Sequence, residues 1–181
     1  MKILTILLLL STSLQAQTLV LEEAFLAKLD NMQMELVAPL DGDFKVRPST
    51  NLRLLNINQT LWSRSDKLEI RIGLHSPEEL GNLLELPDMA ARQLVMDLAS
   101  NEELAPPISV HRFGDEEMKV FQADWARQYT FQPKQSQIPF STVQLTALFK
   151  RGRGMAYLLL LFNKAPETLD SRQQMLRFKE E

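Results

Sequence analysis

The chain has 181 residues, a formal net charge of −3 at pH 7 and no cysteine. A chain of this length can bury a hydrophobic core without disulfides, and one domain is the natural count. The mild acidity gives no electrostatic reason to expect nucleic acid or an anionic membrane as a partner.

The N-terminus has the layout of a secretory signal peptide. Lys2 precedes an apolar run at residues 3–10, and small and polar residues follow. We therefore predict a signal peptide over residues 1–16 and a single domain over residues 17–181. The apolar run is shorter than the ~20 residues that span a bilayer, so we expect no transmembrane segment after cleavage. Export without disulfides indicates a bacterial periplasmic or secreted protein.

The first half of the chain predicts a helix and then strands. Apolar residues recur at helical spacing within residues 18–30. We expect a short strand at 34–39 and a turn at 41–43. Alternation then places four apolar side chains on one face of a strand: Leu68, Ile70, Ile72 and Leu74. Residues 64–66 predict the hairpin turn before it.

Two helix starts follow. Ser76 precedes a proline at the first helical position, and Glu79 lies three residues after Ser76. This pattern predicts an N-cap with a capping box. Asp88 is expected to cap a second helix. Apolar residues at helical spacing form the buried stripe of this helix: Ala91, Leu94, Val95 and Leu98. Residues 108–113 then predict a short strand, and the acidic residues 114–117 predict a turn.

The second half of the chain carries two alternating segments, at 121–132 and 143–149. Between residues 155 and 162, eight apolar residues follow one another without alternation, which predicts a central strand buried on both faces. The Arg-Gly-Arg-Gly run at 151–154 predicts the hairpin turn before it, with glycines supplying positive φ. A charged helix is expected at 167–180.

A candidate binding site lies in the first of these alternating segments. Trp125, Arg127 and Tyr129 have the same parity, so a regular strand places all three on its apolar face. An arginine between two aromatic residues could bind an acidic ligand. The alternatives are a β-bulge that turns Arg127 outward, or an arginine that reaches solvent at the sheet edge.

Catalytic and metal-binding motifs are not recognisable in the sequence. His75 and His111 lie near several carboxylates, but neither belongs to an H-E-x-x-H motif, and His75 is expected to be an exposed strand residue. No G-x-S-x-G motif, P-loop or dinucleotide fingerprint occurs. We therefore predict no catalytic residues, no metal and no cofactor.

Three stretches give the chain a resemblance to known proteins: KLEIRIGLHSPEE, FQADWARQYTFQPK and VQLTALFKRGRGMAYLLLLFN. With them, residues 32–178 resemble small secreted proteins of Bacteroidetes whose fold is similar to the PsbP-like family. That family includes the photosystem PsbP extrinsic proteins and the bacterial envelope protein DcrB. The resemblance implies an antiparallel sheet with helices on both faces, an α/β/α sandwich of the α+β class. Because this fold serves varied binding roles, it implies no particular activity.

The function expected from the sequence is binding rather than catalysis. The leading hypothesis is a soluble, non-enzymatic periplasmic or secreted domain that binds a protein or another envelope component. The alternative is a protein that binds a small acidic or aromatic ligand through the Trp125–Arg127–Tyr129 strand. An enzyme is the third possibility.

Overall fold

A computed structural model describes residues 19–37, 43–81 and 86–180 of the chain. The predicted signal peptide lies outside the described residues, and so does most of the predicted turn at 41–43. None of the helices in the described ranges has the length and apolar character needed to cross a bilayer.

The centre of the domain is an antiparallel sheet of seven strands. In chain order these are β2 (Phe44–Arg47), β3 (Gln59–Ser63), β4 (Leu68–His75), β5 (Ser109–Arg112), β6 (Trp125–Phe131), β7 (Thr142–Lys150) and β8 (Gly154–Phe162). Their order across the sheet is β2-β3-β4-β8-β7-β6-β5. A second, two-stranded sheet pairs β1 (Met34–Leu36) with β9 (Leu176–Phe178).

Strand β8 lies in the middle of the large sheet, and every one of its residues is buried. It pairs with β4 on one side and with β7 on the other. Its side chains alternate between two hydrophobic clusters. Tyr157 and Leu159 belong to the first cluster, and Leu158 and Leu160 belong to the second. The prediction of a strand buried on both faces is therefore confirmed.

The Arg-Gly-Arg-Gly run forms the turn between β7 and β8, as predicted. Gly152 and Gly154 have φ values of 76° and 108°, which L-residues rarely adopt. A Cβ atom on Gly154 would also lie 2.2 Å from the carbonyl oxygen of His75 on the neighbouring strand. Glycine is therefore required at this position for both conformational and steric reasons.

Five helices occur in the described ranges: α1 (Glu23–Asn31), α2 (Pro77–Leu80), α3 (Pro87–Leu98), α4 (Asp115–Phe121) and α5 (Leu169–Gln173). The apolar stripe of α3 packs into the first cluster. The buried residues of α1, of α4 and of the β1–β9 sheet pack into the second cluster. The structure thus shows an α+β fold with a large antiparallel sheet and a few helices.

Both predicted helix starts exist, and their caps differ from each other. At α2 the backbone N–H of Ser76 donates to Glu79 Oε2 at 2.8 Å, so the predicted capping box is present. Asp88, in contrast, lies inside the first turn of α3 and is not its cap. Its carboxylate binds side chains from another part of the fold, described below.

The predicted turn at 114–117 is wrong, because these residues begin helix α4. The backbone N–H of Gly114 donates to Glu117 Oε2 at 2.8 Å, which satisfies a free donor at the helix end. Acidic side chains in a first turn are also favoured by the helix dipole. The same acidic residues therefore suit a helix start as well as a turn.

The predicted C-terminal helix at 167–180 is also wrong in most of its length. Helix α5 has only five residues, and the chain then enters strand β9. Leu176 and Phe178 are fully buried on alternate positions, and Arg177 between them pairs with Glu35 of β1 at 2.8 Å. Pairing with β1, which lies far away in sequence, decides this conformation.

Candidate functional site

The three predicted site residues lie together on β6. The strand pairs with β7 without interruption from Trp125 to Phe131, so no bulge turns Arg127 outward. Arg127 is paired with Ala147, whose side chain belongs to the first cluster. Trp125, Arg127 and Tyr129 therefore share one face of the sheet, as the alternation predicts.

Asp88 of helix α3 explains how an arginine is tolerated on this face. Arg127 Nη1 donates a hydrogen bond to Asp88 Oδ1. Arg92, one turn along the helix, places its Nε 2.9 Å from Asp88 Oδ2. The Tyr129 hydroxyl lies 3.5 Å from Asp88 Oδ1. One carboxylate thus holds two guanidinium groups at the junction of helix and sheet.

The charged side chains of this junction are mostly positive. Arg112 of β5 is paired with Arg127 across the strands, so its side chain emerges on the same face. Arg92, Arg112 and Arg127 together outnumber the single carboxylate of Asp88. Burial raises the pKa of the Tyr129 hydroxyl, so this group stays protonated and can donate a hydrogen bond.

The outer side of helix α3 exposes apolar side chains next to these arginines. We call this the α3 outer surface and define it by Leu86, Met89, Arg92 and Met96. Leu86, Met89 and Met96 are 51%, 50% and 67% exposed. Their spacing places them on the side of the helix opposite its buried stripe, with Arg92 between the two methionines. An apolar surface with a central arginine is therefore open to solvent.

The described part of the chain contains three clefts that do not include the predicted site residues Trp125, Arg127 and Tyr129 in their lining. A cleft of about 310 Å³ lies beside His111. A larger one of about 520 Å³ is lined by Arg53 and Arg71, which the sequence patterns do not single out. The face that carries Arg127 thus presents a surface rather than one of these three cavities.

The two histidines lie in different environments. His111 is exposed, with its Nε2 atom 3.2 Å from Glu117 Oε1. His75 is only partly exposed, and its ring meets the edge of the Tyr157 ring at a centroid distance of 5.8 Å. The expectation of an exposed His75 is therefore wrong. Within the described ranges, no group of three or more potential ligands could hold a metal ion.

The environment of His75 predicts a pH dependence of stability. Burial lowers the pKa of His75 below its ordinary value of 6.5; the nearby carboxylate of Glu79 opposes this shift in part, and the ammonium group of Lys28 adds to it. The unfolded chain therefore binds more protons than the folded one just below pH 6.5, and the free energy of unfolding falls as the pH is lowered through this range.

Urea denaturation above and below this range tests the role of His75. Between pH 7.5 and pH 5.5 the free energy of unfolding should fall more in the wild type than in a His75→Gln variant. The two decreases should differ by about 1 kcal/mol or less. An equal loss in the two proteins would show that other groups cause the pH dependence.

No protein-family model, curated protein or solved structure matches the chain.

Proposed function

We propose that the protein is a non-enzymatic binding domain, periplasmic or secreted, that docks a protein partner of the bacterial envelope. The observation that carries this proposal is the α3 outer surface, where the exposed Met89 and Met96 flank Arg92. Methionine, arginine and tryptophan are enriched at protein interfaces. Exposed apolar side chains grouped on one side of a helix are a common feature of interaction sites.

The charges beside this surface indicate the chemistry of the partner. Arg92 and Arg127 share one carboxylate, and Arg112 adds a further positive charge on the same face. Complementary charge mainly steers association and selects partners. The partner segment that fits best is therefore apolar with acidic residues at its edge.

The second candidate function is the binding of a small acidic or aromatic ligand at Trp125, Arg127 and Tyr129. The guanidinium carbon of Arg127 lies 5.7 Å from the centre of the Trp125 ring, and the Tyr129 hydroxyl is a donor nearby. A ligand carboxylate would have to replace Asp88 on Arg127, or share the guanidinium with it. Because Arg127 also lines none of the three clefts described above, the small ligand is the second choice.

The proposal also includes the family to which the α+β fold belongs. We propose a PsbP-like α/β/α sandwich, because α3 packs into the first hydrophobic cluster and α1 packs into the second. The proposed location outside the cytoplasm rests on the signal-peptide pattern of residues 1–16.

Affinity capture from the envelope fraction of the source bacterium, with matched surface variants, tests the docking proposal. The chain without residues 1–16 should retain a protein partner, and a Met89→Asp/Met96→Asp variant should retain about tenfold less of it. Val20→Asp/Leu104→Asp is the matched control, because these residues are 81% and 96% exposed and lie outside the α3 outer surface. It should retain the wild-type amount.

Two outcomes would overturn the proposal. One is recovery of a small molecule without any protein, which would favour the second candidate function. The other is equal retention of the partner by the methionine variant and the wild type. An Arg127→Met variant separates the two functions further, since it should abolish binding of an acidic small ligand but only weaken docking of a protein partner, for which the methionine surface stays in place.

A further inference from the structure

A cleft of about 520 Å³ lies beside Arg53, whose guanidinium group binds Asp97 of helix α3. Most of the residues that line it have polar side chains: Thr50, Asn51, Arg53, Arg71, Ser136 and Gln137. Its volume falls in the range of about 300–1,000 Å³ that small-molecule sites occupy. The residues that line the cleft and those that define the α3 outer surface do not overlap.

A buried carboxylate holds Arg53 from one side. Arg53 Nε donates to Asp97 Oδ1 at 2.8 Å, and Arg53 Nη2 donates to the same oxygen. The side chain of Asp97 is 5% exposed, whereas that of Arg53 is 71% exposed. Because a guanidinium group has five N–H donors in a fixed plane, Nη1 remains oriented for a further acceptor.

Arg71 is fixed in a similar way by Glu69. Arg71 Nε and Nη2 lie 2.9 and 2.8 Å from Glu69 Oε1. Glu69 is nearly buried and also receives Arg47 Nη1 at 3.4 Å. The two carboxylates thus orient the arginines, and both arginines line the cleft, Arg53 with 71% and Arg71 with 11% of its side chain exposed.

Further hydrogen-bonding groups surround the two arginines. The hydroxyls of Thr50 and Ser136 can donate and accept. Asn51 uses its Oδ1 atom to accept from the backbone N–H of Ile57, so its NH₂ group is a donor. Asp97 Oδ2, beside Arg53, is buried and has no hydrogen-bond partner among the described residues. A buried carboxylate oxygen of this kind needs a hydrogen-bond donor, which a hydroxyl group of a ligand can supply and an oxyanion cannot.

From these observations we infer that the cleft binds the oxyanion group, carboxylate or phosphate, of a small hydroxylated molecule. The oxyanion lies between Arg53 and Arg71, since planar guanidinium groups bind such groups through paired hydrogen bonds. The hydroxyl and amide side chains of the cleft bind the hydroxyl groups of the ligand. This site is independent of the proposed docking function.

Three sugars that differ at one carbon test the inference: glucose, glucuronic acid and glucose 6-phosphate. Their binding to the chain without residues 1–16 is measured by titration calorimetry, together with that of inorganic phosphate. At least one of the two acidic sugars should bind about tenfold more tightly than glucose. Which of them binds shows whether the site takes a carboxylate or a phosphate.

Two variants locate the binding. Arg71→Met should weaken it about tenfold while Glu69 keeps Arg47 as a partner. Arg53→Met/Asp97→Asn should have a similar effect, and it removes the carboxylate that Arg53→Met alone would leave buried. The control Arg151→Gln removes a charge of the same sign from the exposed β7–β8 turn and should bind as the wild type does. Circular dichroism and thermal unfolding verify that each variant is folded.

The inference is overturned if all three sugars bind equally, or if no acidic sugar binds at concentrations up to about 10 mM. An equal loss of affinity in Arg151→Gln and in the cleft variants would also overturn it, because binding would then depend on net charge alone.

Discussion

Replacing Leu160 with alanine is expected to lower the free energy of unfolding by about 2–5 kcal/mol. Leu160 is 1% exposed and lies in β8, the middle strand of the large sheet. Its neighbours across the strands are Ile70 on β4 and Gln144 on β7. Alanine would leave a cavity that these paired strands cannot close without breaking their register. Chemical denaturation measures the change in the midpoint and in the free energy.

Leu104→Ala is the matched control for this prediction. Leu104 is 96% exposed, so the same substitution should change the free energy of unfolding by about 0.5 kcal/mol or less. If Leu160→Ala were as mild as this control, β8 would not be the buried centre of the fold.

Replacing Arg172 with methionine is expected to destabilise the protein by about 3–5 kcal/mol. Arg172 Nε lies 3.2 Å from Asp66 Oδ2, and the two side chains are only 7% and 10% exposed. The guanidinium carbon also lies 4.8 Å from the centre of the Phe44 ring. Methionine would leave the carboxylate of Asp66 buried without its guanidinium partner, which costs more than the loss of the attraction itself.

A double variant distinguishes the effect of an unpaired buried carboxylate from the effect of poor packing. Asp66→Asn/Arg172→Met removes both charges and should recover part of the stability that Arg172→Met loses. Arg151→Met, in an exposed turn, should change stability by about 0.5 kcal/mol or less. A double variant as unstable as Arg172→Met alone would contradict the assigned role of the buried pair.

The sequence predicts best those strands whose buried apolar residues alternate regularly with others or follow one another without a break. The alternation at residues 68–74 and 143–149 and the unbroken apolar run at 155–162 correspond to β4, β7 and β8. These strands adjoin one another in the sheet, so core burial dominates their conformation. The glycines of the β7–β8 turn add a local conformational requirement that is also visible in the sequence.

The elements that were predicted wrongly depend on distant partners or on ambiguous local chemistry. The C-terminal segment becomes β9 only because β1 pairs with it, and no local pattern marks that pairing. The acidic residues at 114–117 suit both a turn and a helix start, and the hydrogen bond between Gly114 and Glu117 decides for the helix.

The candidate site also combines a feature that the local sequence predicts with a contact that it does not predict. Alternation alone places Trp125, Arg127 and Tyr129 on one face of β6. It cannot identify Asp88, 39 residues earlier, as the partner of Arg127. The exposed methionines Met89 and Met96 are seven residues apart in the sequence, a spacing that could have pointed to a helix surface.

Methionine oxidation tests the docking proposal most directly. In the free protein, dilute hydrogen peroxide should oxidise Met89 and Met96, whereas the methionines that are 1% exposed or less should stay reduced: Met32, Met34, Met155 and Met175. In the complex with the captured partner, we predict that Met89 and Met96 oxidise much more slowly, while Met118 on α4 reacts at its free rate. Oxidation of Met89 and Met96 at the same rate in the free and bound protein would contradict docking at the α3 outer surface.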